Sequence, residues 1–358
     1  MQFTDRIKRR LELENIFDQN KFENLLSVNN KYIIGRNDET LKVINNNNIS
    51  GVIDDYFEDE FWNNSKIFKL DEIDKSSLII NCSTSISPNS VLNKLKDAGF
   101  ENVVNYSDFI KYQPVIYLPT FSKDMINIVQ EKSEKLGLIY ERLADQISKK
   151  TFEDLILFRL TCNPVFTFGY NNNIEFQYLE QFMMYENEVF VDAGGFDGDT
   201  SELFLKNNQY IKKIFFIEPS KYNLNNAKKR LNNYYNIEYL NFGLSDKNEN
   251  LSFNECNNTA SNFSEEGELK IQVKRLDELI SEEVSLIKMD IEGFEMKALK
   301  GAEELIREFK PKLAIAVYHK SSDFFDIPNF ILKINPNYKL YLRHYTQGWS
   351  ETIMYFIN

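Results

Sequence analysis

Four acidic residues stand where four consecutive apolar runs end, and this arrangement could form a ligand-binding site. The acids are Asp192, Glu218, Asp246 and Asp290. The runs before them are short and rich in β-branched and aromatic residues, which is typical of buried parallel strands. Ligands of an open α/β sheet bind beyond the carboxyl ends of its strands. We therefore expect the four carboxylates to line one site.

A glycine-rich turn follows the first apolar run, residues 189–191. It contains Gly194, Gly195 and Gly198 and leads into a predicted helix. Glycine lets the backbone turn tightly and lets a ligand approach where a Cβ would clash. Phe196 stands where the dinucleotide pattern G-x-G-x-x-G would place glycine, which favours an adenosine ligand without a pyrophosphate. The alternative is a strand-to-helix turn with no ligand.

Glu218 ends the second apolar run, residues 213–217. Its distance from the glycine turn is close to the offset of roughly 20 residues at which an acidic side chain accepts hydrogen bonds from ribose hydroxyls. We therefore predict that Glu218 binds a ribose.

The motifs around these acids resemble those of the FkbM family of S-adenosylmethionine-dependent methyltransferases. The resemblance lies in V-F-V-D-A-G-G-F-D-G-D-T, F-F-I-E-P-S, G-L-S-D and L-I-K-M-D-I-E-G-F-E-M-K-A-L-K-G-A, and it covers roughly the last half of the chain. It implies an α/β class I methyltransferase fold with a seven-stranded Rossmann-like sheet, and S-adenosylmethionine as cofactor. The predicted cofactor contacts are Asp192, Gly194, Gly195, Gly198, Glu218, Ser245, Asp246 and Asp290, with Asp246 at the adenine amine.

Methyl transfer is an in-line displacement at a sulfonium carbon, and a hydroxyl acceptor also needs a base to take its proton. The chain has two histidines, His319 and His344, each at or near the end of a late predicted strand. We predict His319 as the base, Asp290 as the second candidate, and His344 with Arg343 as acceptor contacts. A histidine with an ordinary pKa predicts turnover that rises through about pH 6 to 7. The alternative for each histidine is a packed or solvent-facing residue.

Other residues are predicted to bind the acceptor. Glu292 follows Asp290 closely, and Tyr178 lies in a segment that resembles the part preceding the glycine turn in FkbM relatives of similar architecture. A core-facing helix stripe is the alternative for Tyr178. Asp290 and Glu292 could instead hold a divalent ion, but two clear carboxylates without further ligands favour a site without metal. The polar stretch 254–267 is a candidate acceptor-binding lid or a solvated loop.

Patterning predicts four ranges along the chain. Residues 1–30 form a helical segment, 31–115 a small Rossmann-like α/β domain, 116–186 a helical bridge and 187–358 the methyltransferase domain. The small domain resembles one that some sugar-modifying enzymes carry ahead of their catalytic unit. It lacks a G-x-G motif, because Gly35 is followed by Arg-Asn-Asp. We expect it to be structural, or to touch only part of a substrate such as the nucleotide portion of a nucleotide sugar.

Composition excludes several classes of function. The 358 residues are 42% hydrophobic, which predicts a globular protein, and the net charge of −12 argues against a nucleic-acid partner. The three cysteines, Cys82, Cys162 and Cys256, lie far apart without C-x-x-C spacing and fit a reducing cytoplasm. No apolar leader and no run of about 18 apolar residues occurs, so we expect neither export nor a membrane span.

The sequence therefore predicts S-adenosylmethionine-dependent O-methylation of a sugar hydroxyl in a nucleotide-linked or polymer-bound glycan precursor, a modification of the polysaccharide or capsule type. The sugar follows from the resemblance and the small domain. Three alternatives stay open: O-methylation of a small non-sugar metabolite, an NAD-dependent oxidoreductase, and a non-catalytic binding module. Phe196 disfavours the oxidoreductase, and the intact acids disfavour the non-catalytic binding module. The sequence leaves a homo-oligomer open.

Overall fold

The computed structural model describes residues 3–14, 17–183, 187–207, 211–254, 262–263 and 269–358. The chain divides into two compact units. Unit 1 comprises Met1–Gly137, Lys150–Asn172 and His344–Ser350, and unit 2 comprises Leu138–Lys149, Asn173–Arg343 and Glu351–Asn358. The four predicted ranges are finer than this division and stay predictions. None of the helices described combines the length and the apolar character that crossing a membrane requires.

A smaller α/β arrangement comes first in the chain. Its elements are α1 (Phe3–Glu14), α2 (Gln19–Leu26), β1 (Lys31–Ile34), α3 (Asp38–Asn46), β2 (Gly51–Ile53), β3 (Phe61–Trp62), β4 (Ser65–Phe68), β5 (Leu78–Asn81), α4 (Pro88–Asp97), β6 (Val103–Asn105), α5 (Tyr106–Tyr112) and α6 (Pro114–Tyr117). Two longer helices follow, α7 (Thr120–Arg142) and α8 (Gln146–Thr161).

The first sheet has the order β3-β4-β2-β1-β5-β6. Its strands pair in parallel except β3 with β4, which form an antiparallel hairpin. Every residue of the apolar strands β2 and β5 is buried, as expected for parallel strands covered on both faces. This arrangement confirms the predicted small α/β domain ahead of the larger sheet. The β3–β4 hairpin is an addition that the sequence interpretation did not contain.

The elements of the larger sheet and its surroundings follow. They are β7 (Glu188–Ala193), α9 (Asp199–Asn207), β8 (Ile211–Ile217), α10 (Lys221–Arg230), β9 (Ile237–Leu240), β10 (Gly243–Leu244), β11 (Glu249–Asn254), β12 (Asn262–Phe263), β13 (Leu269–Lys274), α11 (Leu276–Leu279), β14 (Leu286–Met289), α12 (Glu295–Lys300), α13 (Glu303–Phe309), β15 (Lys312–Ala316), α14 (Asp323–Ile334), β16 (Lys339–His344) and β17 (Thr352–Ile357).

The larger sheet has seven strands in the order β16-β17-β15-β14-β7-β8-β9, which confirms the predicted C-terminal sheet. β7, β8, β9, β14 and β15 are parallel, whereas β17 is antiparallel to β15. The strand order reverses between β7 and β14, because the chain runs outward from β7 through β8 to β9 and then returns to β14. Ligands of such sheets bind in the crevice at this switch point, beyond the carboxyl ends of the strands.

The predicted third strand, residues 237–244, is divided in the structure. β9 belongs to the seven-stranded sheet, whereas β10 pairs with β13 in a four-stranded sheet of order β10-β13-β11-β12. Between them, Asn241 donates hydrogen bonds to the carbonyl oxygens of Glu218 at 2.9 Å and Pro219 at 2.8 Å. This side chain fixes the backbone where the chain leaves the larger sheet. Asp246 therefore follows a strand of the smaller sheet. Of the other three acids, Glu218 and Asp290 directly follow β8 and β14 of the larger sheet, and Asp192 lies within β7.

The predicted lid, residues 254–267, lies almost entirely outside the described residues, as does Cys256. Cys82 and Cys162 are buried thiols without a disulfide.

Candidate active site

The glycine turn after β7 lies directly against the end of β14. Gly194 has a φ of 75°, in the left-handed region, and a Cβ at this position would lie 1.9 Å from the backbone oxygen of Asp290. The turn therefore needs glycine because of a neighbour that is distant in the sequence. This close approach brings the first and the last of the four predicted acidic segments together at the switch point.

Replacement of Gly194 tests this packing. We expect Gly194→Ala to lower the free energy of unfolding by several kcal/mol, because about 1–2 kcal/mol of left-handed strain adds to an overpacking cost of about 1–3 kcal/mol. Gly99→Ala is the matched control, since Gly99 has a φ of 84° but open space around its Cβ position. Denaturant unfolding of both variants measures the difference. Equal losses of stability would show that the backbone conformation alone requires glycine at position 194.

Phe196, which stands where the dinucleotide pattern has glycine, adopts a left-handed backbone conformation. Its φ is 50°, and its backbone N–H donates to Glu218 Oε2 at 3.1 Å. The other oxygen of Glu218 accepts from the backbone N–H of Ser220 at 2.8 Å. Burial raises the pKa of Glu218 to about 7, although these two hydrogen bonds oppose the rise. The Asn223 side chain adds a third hydrogen bond, and the carboxylate is thus held at the end of β8.

Asp192, the first predicted acid, is an internal residue. Its carboxylate lies 3.0 Å from Lys288 Nζ and accepts from the hydroxyl of Ser201 at 2.6 Å. Lys288 is also buried and donates to the backbone oxygen of Gly194 at 2.6 Å. Burial by itself would lower the pKa of Lys288, but the charges of Asp192 and Asp290 raise it above its ordinary value. This ion pair ties β7, β14 and the glycine turn together.

Ser245 and Asp246 lie beyond β10. Ser245 is fully buried, and its hydroxyl donates to Asp246 Oδ1 at 3.2 Å. Arg275 donates to the backbone oxygen of Asp246 at 3.1 Å. These contacts order the segment, and the cofactor role of both residues stays a prediction.

The turn after β14, which carries Asp290 and Glu292, is held by Glu295. The Oε1 atom of Glu295 accepts from the backbone N–H groups of Ile291 at 2.9 Å and Gly293 at 3.2 Å. Glu292, with a φ of 54°, is a non-glycine residue in the left-handed region. The turn is therefore a fixed frame for carboxylates at the switch point.

His319 faces three carboxylates of this frame. Its Nδ1 lies 3.0 Å from Glu295 Oε1, and its Nε2 lies 3.4 Å from Glu292 Oε2 and 3.6 Å from Asp290 Oδ1. Burial by itself would lower the pKa of His319, but the carboxylates of Glu292, Glu295 and Asp290 raise it well above its ordinary value. The imidazole therefore carries a proton at pH values where an ordinary histidine has lost it, and the predicted rise through about pH 6 to 7 moves to higher pH.

Asp290 has further neighbours on its other side. The hydroxyl of Tyr318 donates to both of its carboxylate oxygens, at 3.1 and 3.2 Å. Burial, followed by the charge of Asp290, raises the pKa values of Tyr178 and Glu351. The Tyr178 ring also lies 5.9 Å from Lys288 Nζ, beside the ion pair of this site. Glu351 is an acid that the sequence interpretation did not select.

A divalent ion is the chemical alternative for this cluster. Ligand atoms of Asp290, Glu295 and His319 all lie within 4.8 Å of one another. Glu295 Oε1, however, already accepts two backbone hydrogen bonds and faces the imidazole. This arrangement favours an ion pair between Glu295 and His319, and the absence of a metal stays a prediction.

Two predicted acceptor contacts have structural partners. The guanidinium of Arg343 pairs with Asp145 at 2.7 Å, donates to Ser148 Oγ at 2.9 Å and lies over the ring of Phe182. His344 belongs to unit 1, where its buried ring packs against the ring of Tyr170 at 5.3 Å. Their role toward an acceptor stays a prediction.

Sequence reasoning missed several residues of the site. Lys288 had a usable signal, because a lysine within an apolar strand must find a buried partner. Glu295 stands in the same D-I-E-G-F-E motif as Asp290 and could have been selected there. Glu351 had no local signal, since only the fold brings it near Asp290.

Comparisons with known proteins identify a methyltransferase domain in this part of the chain. Residues 192–341 match the family described as Methyltransferase FkbM domain. No curated protein matches the chain. The solved structure of methyltransferase FkbM from Methylobacillus flagellatus KT is 22% identical, with a TM-score of 0.75, and the match covers 99% of this chain and 98% of that chain. This likeness shows that the two chains share a fold.

Two other solved structures match about half of this chain. An rRNA methylase from Streptococcus thermophilus is 13% identical, with a TM-score of 0.33, over 48% of this chain and 86% of its own. Fibrillarin from Aeropyrum pernix, solved with natively bound S-adenosyl-L-methionine, is 12% identical, with a TM-score of 0.32, over 48% of this chain and 67% of its own. Both are too distant to support a further conclusion.

Proposed function

We propose, from the FkbM methyltransferase domain that residues 192–341 match, that this chain transfers a methyl group from S-adenosylmethionine to a hydroxyl oxygen. The observation that carries the proposal is the convergence of the glycine turn, Asp290 and His319 at the switch point of the larger sheet. A cofactor site and a proton acceptor then lie at one sheet edge.

The residues fit an adenosyl ligand. Glu218 accepts one backbone hydrogen bond on each oxygen and a further one from the Asn223 side chain, and its remaining lone pair can accept from a ribose hydroxyl. The glycine turn and Asp290 would lie toward the methionine portion, and Ser245 with Asp246 toward the adenine. S-Adenosylmethionine, when bound, supplies a methyl group on a positively charged sulfur. None of these residues is assigned to a phosphate group, which disfavours NAD as the cofactor.

On the acceptor side, His319 is the proposed base. Its Nε2 takes the proton of the acceptor hydroxyl as the oxygen forms its bond to the methyl carbon and the carbon–sulfur bond breaks. The carboxylate of Glu295 lies next to Nδ1 and stabilises the imidazolium that results. Asp290, whose Oδ1 lies 3.6 Å from Nε2 at the end of β14, is the second candidate for the base.

The acceptor that we propose is a sugar hydroxyl of a nucleotide-linked or polymer-bound glycan precursor. The resemblance to FkbM proteins and the separate small α/β domain support this choice. Titration with S-adenosylmethionine, NAD and GDP-sugars, followed by a methyl-transfer assay with labelled cofactor, separates the alternatives. Binding of NAD in place of S-adenosylmethionine would indicate an oxidoreductase. Cofactor binding without transfer to any sugar or small hydroxylated metabolite would favour a binding module.

Glu218 provides the test of the cofactor assignment. We expect Glu218→Ala to weaken binding of S-adenosylhomocysteine by at least about tenfold, because hydrogen bonds to a charged group contribute about 1.5–3 kcal/mol. In the wild type, affinity should rise with pH through about 7, since the ionised carboxylate is the better acceptor and its pKa is about 7. Isothermal titration calorimetry at several pH values measures both effects.

Two further variants complete this test. Glu218→Gln should flatten the pH dependence, because the amide does not titrate. Glu308→Ala, at an exposed position, is the control and should bind S-adenosylhomocysteine normally. Unchanged affinity in Glu218→Ala would remove this acid from the cofactor site.

A further inference from the structure

Tyr178 lies beside the site, because the centroid of its ring is 5.9 Å from Lys288 Nζ. Asp290 acts electrostatically on both Tyr178 and Glu351, and neither residue has a task in cofactor binding or proton transfer. The Tyr178 side chain is only 5% exposed, yet its hydroxyl has no hydrogen-bond partner among the described residues. One carboxylate oxygen of Glu351 accepts from Gln177 Nε2 at 2.6 Å. Gln177 therefore orients Glu351, while the Tyr178 hydroxyl is a buried donor that a ligand could satisfy.

The backbone at these positions is strained. Tyr178 has a φ of 65° and Glu351 a φ of 60°, and both lie in the left-handed region that bulky residues rarely adopt. Glu292, on the turn after β14, shares this conformation. Such conformations persist only where surrounding structure holds them, and they cluster at ligand sites. The left-handed conformation that Tyr178, Glu292 and Glu351 share therefore supports a ligand site that involves these residues.

We propose that Tyr178 and Glu351 form an acceptor subsite that binds a hydroxyl neighbouring the methylated one and selects an uncharged polyol at this position. This inference rests on the proposed function. The tyrosine hydroxyl can donate to the acceptor and the glutamate can accept from it, so a hydroxyl satisfies both. A phosphate or carboxylate on the acceptor would instead meet Asp290, Glu292 and Glu351. The positive charges of His319 and Lys288 do not offset this repulsion, because carboxylates already surround His319 and Lys288 is paired with Asp192.

Matched acceptors test this selectivity. The assay measures methyl transfer from labelled S-adenosylmethionine to a panel of alkyl hexosides and to the corresponding hexuronides, which carry a carboxylate. We expect the wild type to prefer the hexosides. Tyr178→Phe should raise their KM about threefold to tenfold with kcat changed by less than about twofold, because one neutral hydrogen bond is lost. Burial raises the pKa of Glu351 to about 7, so the assay is run above this pH, where the acid is ionised. Glu351→Gln should then narrow the preference for hexoside over hexuronide by about tenfold, because it removes a negative charge while keeping the shape and an acceptor oxygen for Gln177.

Controls distinguish a failure of the proposed subsite from a failure of the proposed methyl transfer. Tyr235→Phe alters a tyrosine that is 97% exposed and should change neither constant. Both site variants should bind S-adenosylhomocysteine with wild-type affinity in calorimetry, which also shows that they fold. The subsite alone is overturned if Tyr178→Phe methylates hexosides with an unchanged KM and Glu351→Gln keeps the wild-type preference for hexosides over hexuronides. Absence of transfer to every hexoside by the wild type overturns the sugar acceptor and the subsite together.

Discussion

His319→Ala is expected to lower kcat for methyl transfer by about 10² to 10⁴, because this is the usual contribution of a positioned base. Affinity for S-adenosylhomocysteine should stay at the wild-type value, since the imidazole is assigned to the acceptor. Steady-state kinetics with the best sugar acceptor, together with calorimetry, measures both quantities. His344→Ala is the matched control, because the chain has only these two histidines, and its effect should fall mainly on the acceptor KM.

The pH profile distinguishes a base from a structural histidine. A base must lose its proton before it can act, so kcat/KM should rise with pH through the pKa of His319, which its carboxylate neighbours place well above the ordinary value. Glu295→Gln keeps an oxygen for the backbone N–H groups of the turn but removes one negative charge. The rise of kcat/KM with pH should therefore occur at lower pH in this variant. A rise that does not move would contradict the assignment of His319.

Asp290 is the competing candidate, and its variant decides between the two. If Asp290→Asn abolishes turnover at constant cofactor affinity while His319→Ala is nearly silent, the carboxylate is the base. If both variants lose cofactor binding together, neither residue is shown to be a base, and the histidine is then a structural part of the ion-pair cluster.

Lys288→Met is expected to lower the free energy of unfolding by about 3–5 kcal/mol, because it leaves the carboxylate of Asp192 buried without a counter-charge. Both side chains are almost completely inaccessible, at 4% and 0% exposure, so water cannot replace the lost partner. The variant also loses the hydrogen bond from Lys288 to the backbone oxygen of Gly194. Denaturant unfolding of unliganded protein gives the value.

A double-mutant cycle identifies the cause of this loss. Asp192→Asn in the Lys288→Met background removes the orphaned charge and should recover part of the stability. Lys206→Met, at an exposed surface ion pair with Glu202, is the control and should change stability by less than about 1 kcal/mol. Additive losses from the Asp192 and Lys288 variants would show that the two charges do not stabilise one another.

Local patterns in the sequence determined the strands, helices and turns of this protein and predicted the sheet edge that we propose for the cofactor. Apolar runs such as Val189–Val191 specify buried strands, and glycines followed by Asp199 specify a turn into a helix, because backbone conformation and capping depend on near neighbours. The acids Glu218 and Asp290 were found in the same way, since parallel strands place their carboxyl ends at one edge. The resemblance of the motifs then supplied the methyltransferase interpretation.

Only the tertiary structure decided which side chains meet. Gly194 is required because the Asp290 backbone oxygen lies against its Cα. Between β9 and β10, Asn241 donates to the backbone of the Glu218 segment, a contact between residues far apart in the chain. The pKa of His319 and the approach of Glu351 to Asp290 depend on strand order and on residues far apart in the chain. Electrostatic shifts and steric contacts depend on distances in space, which the periodicity of a sequence does not contain.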